Sequence, residues 1–179
     1  MRQMQGGGEH ADHAHGWMDP HTWLDPVNVK KISENICTEL IRLDPEHEDE
    51  YKENLRGFLA DLDELGRGIS QILLPFKGRE FFVFHPVFGY LGDRYGLVQR
   101  AVEVEGKEPS ARQLAGLIAD IREKGARVIF VQPQFSSKSA EAIAKAVGGK
   151  TVAIDPLARD YLTNMEHIAV KLAEGLRSR

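Results

Sequence analysis

Phe81-Phe82-Val83-Phe84-His85-Pro86 is the stretch from which the rest of the chain falls into place. Its first four residues are apolar without alternation. A strand with one wet face alternates; a short continuous apolar run is buried on both faces, the mark of a parallel sheet. The run ends on a histidine, so the first polar group past this strand is an imidazole.

Working outward, the same kind of segment recurs. Residues 98–104 form a second strand. Arg127-Val128-Ile129-Phe130-Val131 is a third, and Thr151-Val152-Ala153-Ile154 a fourth. Helical patterns separate them, over about residues 86–95, from a Ser110 cap to about residue 124, and from a Ser136 or Ser137 cap to Gly148-Gly149. A last helix covers about residues 161–176. Strands alternating with helices define βαβ units, hence an α/β fold with a four-stranded parallel sheet and helices on both faces.

Upstream the rhythm is purely helical. Asp25 is a good N-cap and Pro26 suits the first helical position, where no N–H is needed. Val29, Ile32, Ile36, Leu40 and Leu43 then recur at spacings of three and four, until Asp44-Pro45 breaks the helix. A longer apolar face runs from Tyr51 through Leu62 to Leu73. Residues 45–74 as one helix would measure about 45 Å, enough to bridge two bodies or to lie along one. Three units result: a disordered leader over residues 1–18, a helical segment with a long linker helix over 19–78, and an α/β metal-binding lobe over 79–179. The leader carries Gly6-Gly7-Gly8 and the tract of His10, His13 and His15, a composition suited to loose metal scavenging.

The totals narrow the function. The chain has 179 residues, 42% hydrophobic and 28% charged, the proportions of an ordinary globular protein. Its 23 basic and 27 acidic residues give a net charge of -4, which argues against a nucleic-acid partner. Cys37 is the single cysteine, so an intramolecular disulfide and a Cys-based zinc finger are both excluded; it reads as a small core residue. The polar opening residues carry no signal peptide. No apolar stretch approaches the roughly 18 residues of a membrane span.

Ligands of parallel α/β sheets bind past the carboxyl ends of the strands. His85 follows the first strand, the loop 105–110 the second, Gln132-Pro133-Gln134 the third, and Asp155 the fourth. His21, in Asp19-Pro20-His21-Thr22-Trp23-Leu24-Asp25-Pro26, reaches that edge only if its segment folds across it. His21, His85 and Asp155 together supply three of the four positions of a tetrahedral zinc site. Each also has an ordinary reading: His85 as a polar loop residue, Asp155 as a turn cap before proline, His21 as a surface-loop residue. His47 and His167 read as solvated. Two functional classes share the three ligands. One is a binding protein that holds zinc reversibly. The other is a zinc-dependent hydrolase with water in the open position. Glu108 is the one acid near that edge in sequence to serve as a base, and no nucleophile elbow, P-loop or Gly-x-Gly-x-x-Gly is present, so the reading is a binding protein and not an enzyme.

From Asp19 to Leu176 the chain resembles the zinc/manganese-specific solute-binding proteins of bacterial and archaeal ABC importers. The resemblance rests on Asp-Pro-His-x-Trp-Leu-Asp-Pro at 19–26, Phe-His-Pro-x-Phe-Gly-Tyr at 84–90, Glu-Gly-Lys-Glu-Pro-Ser at 105–110, Ile-Asp-Pro-Leu at 154–157, and the tract Gln132-Pro-Gln-Phe-Ser. It implies two α/β lobes joined by a rigid helix, with metal in the cleft between them. This chain then corresponds to the linker helix and carboxy-terminal lobe, the amino-terminal lobe and its ligand histidine being missing. It implies His21, His85 and Asp155 as ligands for Zn(II), with Mn(II) less expected because an acid is typical at the His85 position in manganese-specific members. Copper and nickel also accept imidazole. It implies a metal ion and an ABC permease as partners, and a periplasmic or extracytoplasmic location. Contact with the membrane comes through the permease or a missing lipid anchor. The apolar helical faces, without the absent lobe, lead to an expected homodimer or to helices folded onto the chain's own sheet.

Overall fold

The computed structural model describes residues 2, 18–103, 109–135 and 138–178. The His-rich tract and Glu108 lie outside the described residues. Helix α1 (Pro26–Leu43) begins as the sequence indicates, the Asp25 carboxylate accepting from the Val27 N–H with Pro26 in the first turn. Pro45–His47 makes one 3-10 turn, and α2 (Glu48–Leu73) follows. Its 26 residues span about 39 Å. Lys30 of α1 pairs with Asp63 of α2, so the two helices run antiparallel.

The long helix lies along the α/β body. Ile69 and Leu73 are fully buried and Leu65 and Ile72 pack beside them, in the same core as the sheet. Folding onto the chain's own sheet, one of the two expected routes, thus accounts for the carboxy-terminal part of α2. The outer part of the hairpin differs from its periodicity. Val29 and Cys37 are buried, but Ile36, Leu40 and Leu43 are 54%, 39% and 69% exposed, because α2 covers only one side of α1.

The sheet has strands β1 (Glu80–Val83), β2 (Val98–Ala101), β3 (Val128–Val131) and β4 (Lys150–Ala153), all parallel in the order β2-β1-β3-β4. Helices α3 (Gly89–Tyr95), α4 (Ala111–Glu123), α5 (Lys138–Ala146) and α6 (Tyr161–Arg177) flank it. The strand period sorts side chains cleanly between two cores. Phe81, Val83, Val128 and Phe130 face α2, α3 and α6, with Leu91, Met165, Ile168 and Leu172. Phe82, Phe84, Ile129 and Val131 face α4 and α5, with Ile121, Ile143 and Ala144. Each such fully buried side chain contributes about 1.5–3 kcal/mol over leaving it in water. This two-sided burial is why the central strands read as unbroken apolar runs.

Element boundaries depart from the sequence reading in instructive places. The helix expected from residue 86 starts at Gly89, because the Val87 N–H goes back to the His85 carbonyl and the Phe88 N–H to Gln99 Oε1. The second strand, expected to residue 104, is paired through Ala101; Val102 and Glu103 still donate to the Val83 and Phe84 carbonyls. Ser110 caps α4 in a reciprocal capping box with Gln113. The expected Ser136 or Ser137 cap lies outside the described residues. Helix α5 stops before Gly148, whose φ of +68° suits glycine.

Candidate metal centre

The order β2-β1-β3-β4 places the switch point between β1 and β3: from β1 the chain steps to one side, then returns to the other. The crevice past the carboxyl ends of those two strands is where such a sheet binds ligands. Extending the pairing of Val83 with Ala101 and with Phe130 by two residues sets Glu103, His85 and Gln132 in one row across that edge.

The row is bonded as well as aligned. Gln132, 1% exposed, accepts the His85 N–H at 3.2 Å through Oε1 and donates Nε2–H to the His85 carbonyl at 3.0 Å. It grips both backbone groups of the residue. Glu103, 6% exposed, lies 2.5 Å from His85 Nδ1. The Phe135 ring covers His85 at a centroid distance of 4.7 Å.

His21 does fold across this edge. Leu24 is sunk in the core of the lobe, Trp23 donates Nε1–H to the Pro156 carbonyl at 3.0 Å, and Tyr161 donates its hydroxyl to the Trp23 carbonyl at 2.9 Å. Asp25, besides capping α1, holds Arg94 of α3 through both carboxylate oxygens. Burial lifts the Tyr161 hydroxyl far above the ordinary tyrosine range, so it stays a donor. Asp19 is buried and accepts both the His21 ring Nδ1–H, at 2.7 Å, and the His21 N–H, at 3.0 Å. Burial pushes the Asp19 carboxyl up, but the His21 bonds and the Arg2 guanidinium outweigh it and hold it below the usual aspartate value. An ionised carboxylate only accepts, so Nδ1 of His21 carries the proton and Nε2 is its open nitrogen.

The His21 and His85 rings stand 5.5 Å apart, edge to face. Two imidazoles bound through Nε2 to one tetrahedral zinc place their centroids about 5 Å apart. With both Nδ1 atoms engaged by carboxylates, the arrangement is the one that metal-binding histidines adopt. Asp155 is not part of this pair. It projects from the loop after β4, two strands from β1, a backbone separation of about 10 Å. Its Oδ1 accepts from Gln134 Nε2 at 2.7 Å and the Leu157 N–H at 2.9 Å. Among the described residues, no three His, Cys, Asp or Glu side chains gather as a ready metal cage. His47 and His167 are exposed, and Cys37 is buried, as the sequence suggested.

Sequence reasoning gave no role to Asp19 or Glu103, and placed Gln132 at the binding edge without joining it to His85. Asp19 stands inside the motif quoted for His21, two residues before it. Glu103 and Gln132 lie 18 and 47 residues from His85, and only the strand register brings them to it.

The fold is thus an α/β lobe, a doubly covered parallel sheet, with a carboxylate-backed histidine pair at its switch point as the candidate metal site. The chain belongs to the family described as ZnuA, zinc-uptake complex component A, periplasmic, whose model matches residues 2–175. It is 36% identical over 144 residues to the high-affinity zinc uptake system protein ZnuA of Bacillus subtilis (strain 168), covering 78% of this chain and 44% of that protein. It is 32% identical over 152 residues to the zinc-binding protein AdcA of Streptococcus pyogenes serotype M3, covering 83% of this chain and 30% of that one. Among solved structures, a 138–173 deletion mutant of ZnuA with zinc bound superposes with a TM-score of 0.86 at 40% identity, over 98% of this chain and 65% of its own. The laminin-binding protein of Streptococcus agalactiae, described as an adhesin with metal transporting activity, gives 0.84 at 29% identity, over 98% of this chain and 68% of its own. The chain spans less than half the length of these curated relatives. They are named as zinc-uptake and zinc-binding proteins, and the hydrolase alternative finds no support among them.

Proposed function

We propose that this chain is the metal-holding part of a zinc-specific solute-binding component of an ABC-type importer. It captures Zn(II) through His21, His85 and Asp155 for delivery to a membrane permease on the outer side of the cytoplasmic membrane. The observation that carries the reading is the pair of imidazoles 5.5 Å apart, each with a buried carboxylate on Nδ1. Imidazole favours zinc over manganese, which prefers oxygen ligands. On this reading Asp155 supplies the third ligand from the loop after β4. Transport proteins of this kind hold their cargo without turning anything over, so the chain is read as a binding protein and not an enzyme. On this reading residues 79–179 are the lobe, and residues 19–78 supply both His21 and the linker helix. A second copy of the chain, docked on exposed Ile36, Leu40 and Leu43, is the proposed partner of α1. Sedimentation showing only monomer at micromolar concentration, with and without zinc, would remove it.

Calorimetric titration with Zn(II) and Mn(II) tests the site. Zinc is expected to bind more tightly than manganese, and His21→Ala, His85→Ala and Asp155→Ala each to weaken it. Parent-like binding by all three variants would place the zinc elsewhere. Zinc-dependent turnover of an ester or phosphoester that vanishes in His85→Ala would overturn the non-enzymatic reading.

A further inference from the structure

We infer that Glu103 is a positioning residue for zinc capture, a buried carboxylate that among the described residues pairs with no side chain but the His85 ring. This rests on the reading of His85 as a ligand. The two histidines are backed by carboxylates in different electrostatic states. Asp19, 2% exposed, has the Arg2 guanidinium at 3.2 Å besides the His21 ring. Glu103 is nearly as deeply buried, at 6%, yet among the described residues the His85 ring is the one side chain paired with it. Its backbone is fixed by the bond from its N–H to the Phe84 carbonyl, one residue before His85.

A buried carboxylate with no cation is costly to the fold. A divalent ion on Nε2 of the same ring lies across one imidazole from it and offsets that cost. Glu103 thus acts on the metal twice. It fixes the His85 tautomer and ring through Nδ1 so that Nε2 is left for the metal, and it contributes a negative charge close to the cargo. Asp19 has the Arg2 guanidinium beside it, shared with Asp93, and orients its imidazole without depending on cargo for a cation.

Glu103→Gln separates these roles from a merely structural one, because a Gln Oε1 still accepts from Nδ1–H and only the charge is lost. Zinc affinity, read by competition with a chromophoric chelator, is expected to fall 10- to 100-fold. The zinc-free melting temperature is expected to stay level or rise. Asp19→Asn takes away the buried one of Arg2's two carboxylate partners and leaves Asp93, so it should lower zinc affinity and zinc-free stability together. Glu103→Asp keeps the charge but shortens the reach, and an intermediate affinity loss supports the inference even if the Gln variant fails to fold. Zinc affinity in Glu103→Gln within twofold of the parent, or an affinity loss matched by a lower zinc-free melting temperature, would overturn it. Equal zinc binding by the parent and His85→Ala would instead overturn the ligand reading, and the inference with it.

Discussion

Replacing Gln132 with methionine tests how the lobe holds its histidine. Methionine has the length of glutamine and no group able to bond the backbone, so the buried volume is kept while the clamp on His85 is removed. Two hydrogen bonds disappear, at 3.2 Å and 3.0 Å, but they are not equivalent. The His85 carbonyl keeps the Val87 N–H at 2.9 Å, so it loses one partner of two. The His85 N–H loses its one partner among the described residues. An orphaned partly buried N–H costs about 1–3 kcal/mol and the redundant bond about 0.5–1 kcal/mol, so the variant should lose about 2–3 kcal/mol. For a chain of this size that is roughly 5–10 °C in melting temperature. With His85 no longer gripped, zinc affinity should also fall, by roughly tenfold or more. Urea unfolding gives the first quantity and calorimetric titration the second. A variant with the parent's urea midpoint and zinc affinity would show that Gln132 is packed beside His85 without holding it.

Other expectations follow from the same geometry. In Gly149→Ala the new Cβ meets the Arg127 carbonyl oxygen at 2.2 Å, the acceptor of the Lys150 N–H where β4 joins β3, so a loss of about 3 kcal/mol is expected. Gly57→Ala, on the open face of α2 with nothing within 4 Å, should instead stabilise by up to about 1 kcal/mol; thermal melts of the pair check both signs. Trp23→Phe keeps the ring beside His21 but loses the bond to Pro156, so about 1 kcal/mol of stability and part of the zinc affinity should go; unchanged zinc titration would show that His21 is seated without it. Glu80 is held below its ordinary value of 4.5 first by Arg100, against the opposing effect of burial, and then by Lys124. Because its folded value is lowered, its contribution is present above the unfolded value and lost as pH falls through the folded one. Glu80→Gln should therefore cost about 0.5–1 kcal/mol at pH 7, a difference that fades through the acid range, and an equal difference at pH 3 and pH 7 would refute the linkage.

Most of the fold could be read along the chain, because its signals are local. Phe81-Phe82-Val83-Phe84 and Val128-Ile129-Phe130-Val131 announce strands covered on both faces, and Asp25-Pro26 and Ser110 announce helix starts through bonds made within three residues. The family motifs likewise picked out His21, His85 and Asp155, since each is a polar residue in a distinctive short context. Periodicity was a poorer guide to burial. It marked Ile36, Leu40 and Leu43 as part of an apolar stripe but not what covers it; α2 covers the side with Val29 and Cys37 and leaves these three exposed.

Strand order lay beyond local signals. Whether β1 has β2 and β3 for neighbours depends on crossovers between segments tens of residues apart, and on that order rest both partners of His85. Register then does the chemistry: Glu103 and Gln132 meet His85 because each stands two residues beyond a paired strand residue. The same holds for His21, which reaches His85 through Trp23 on Pro156 and Tyr161 on Trp23, contacts 133 and 138 residues apart in sequence. Residue types could be chosen from the sequence as fit for metal, since ligand chemistry belongs to the side chain. Their tautomers, their backing carboxylates and their separation are properties of distances, and distances between remote segments exist only once the chain has packed.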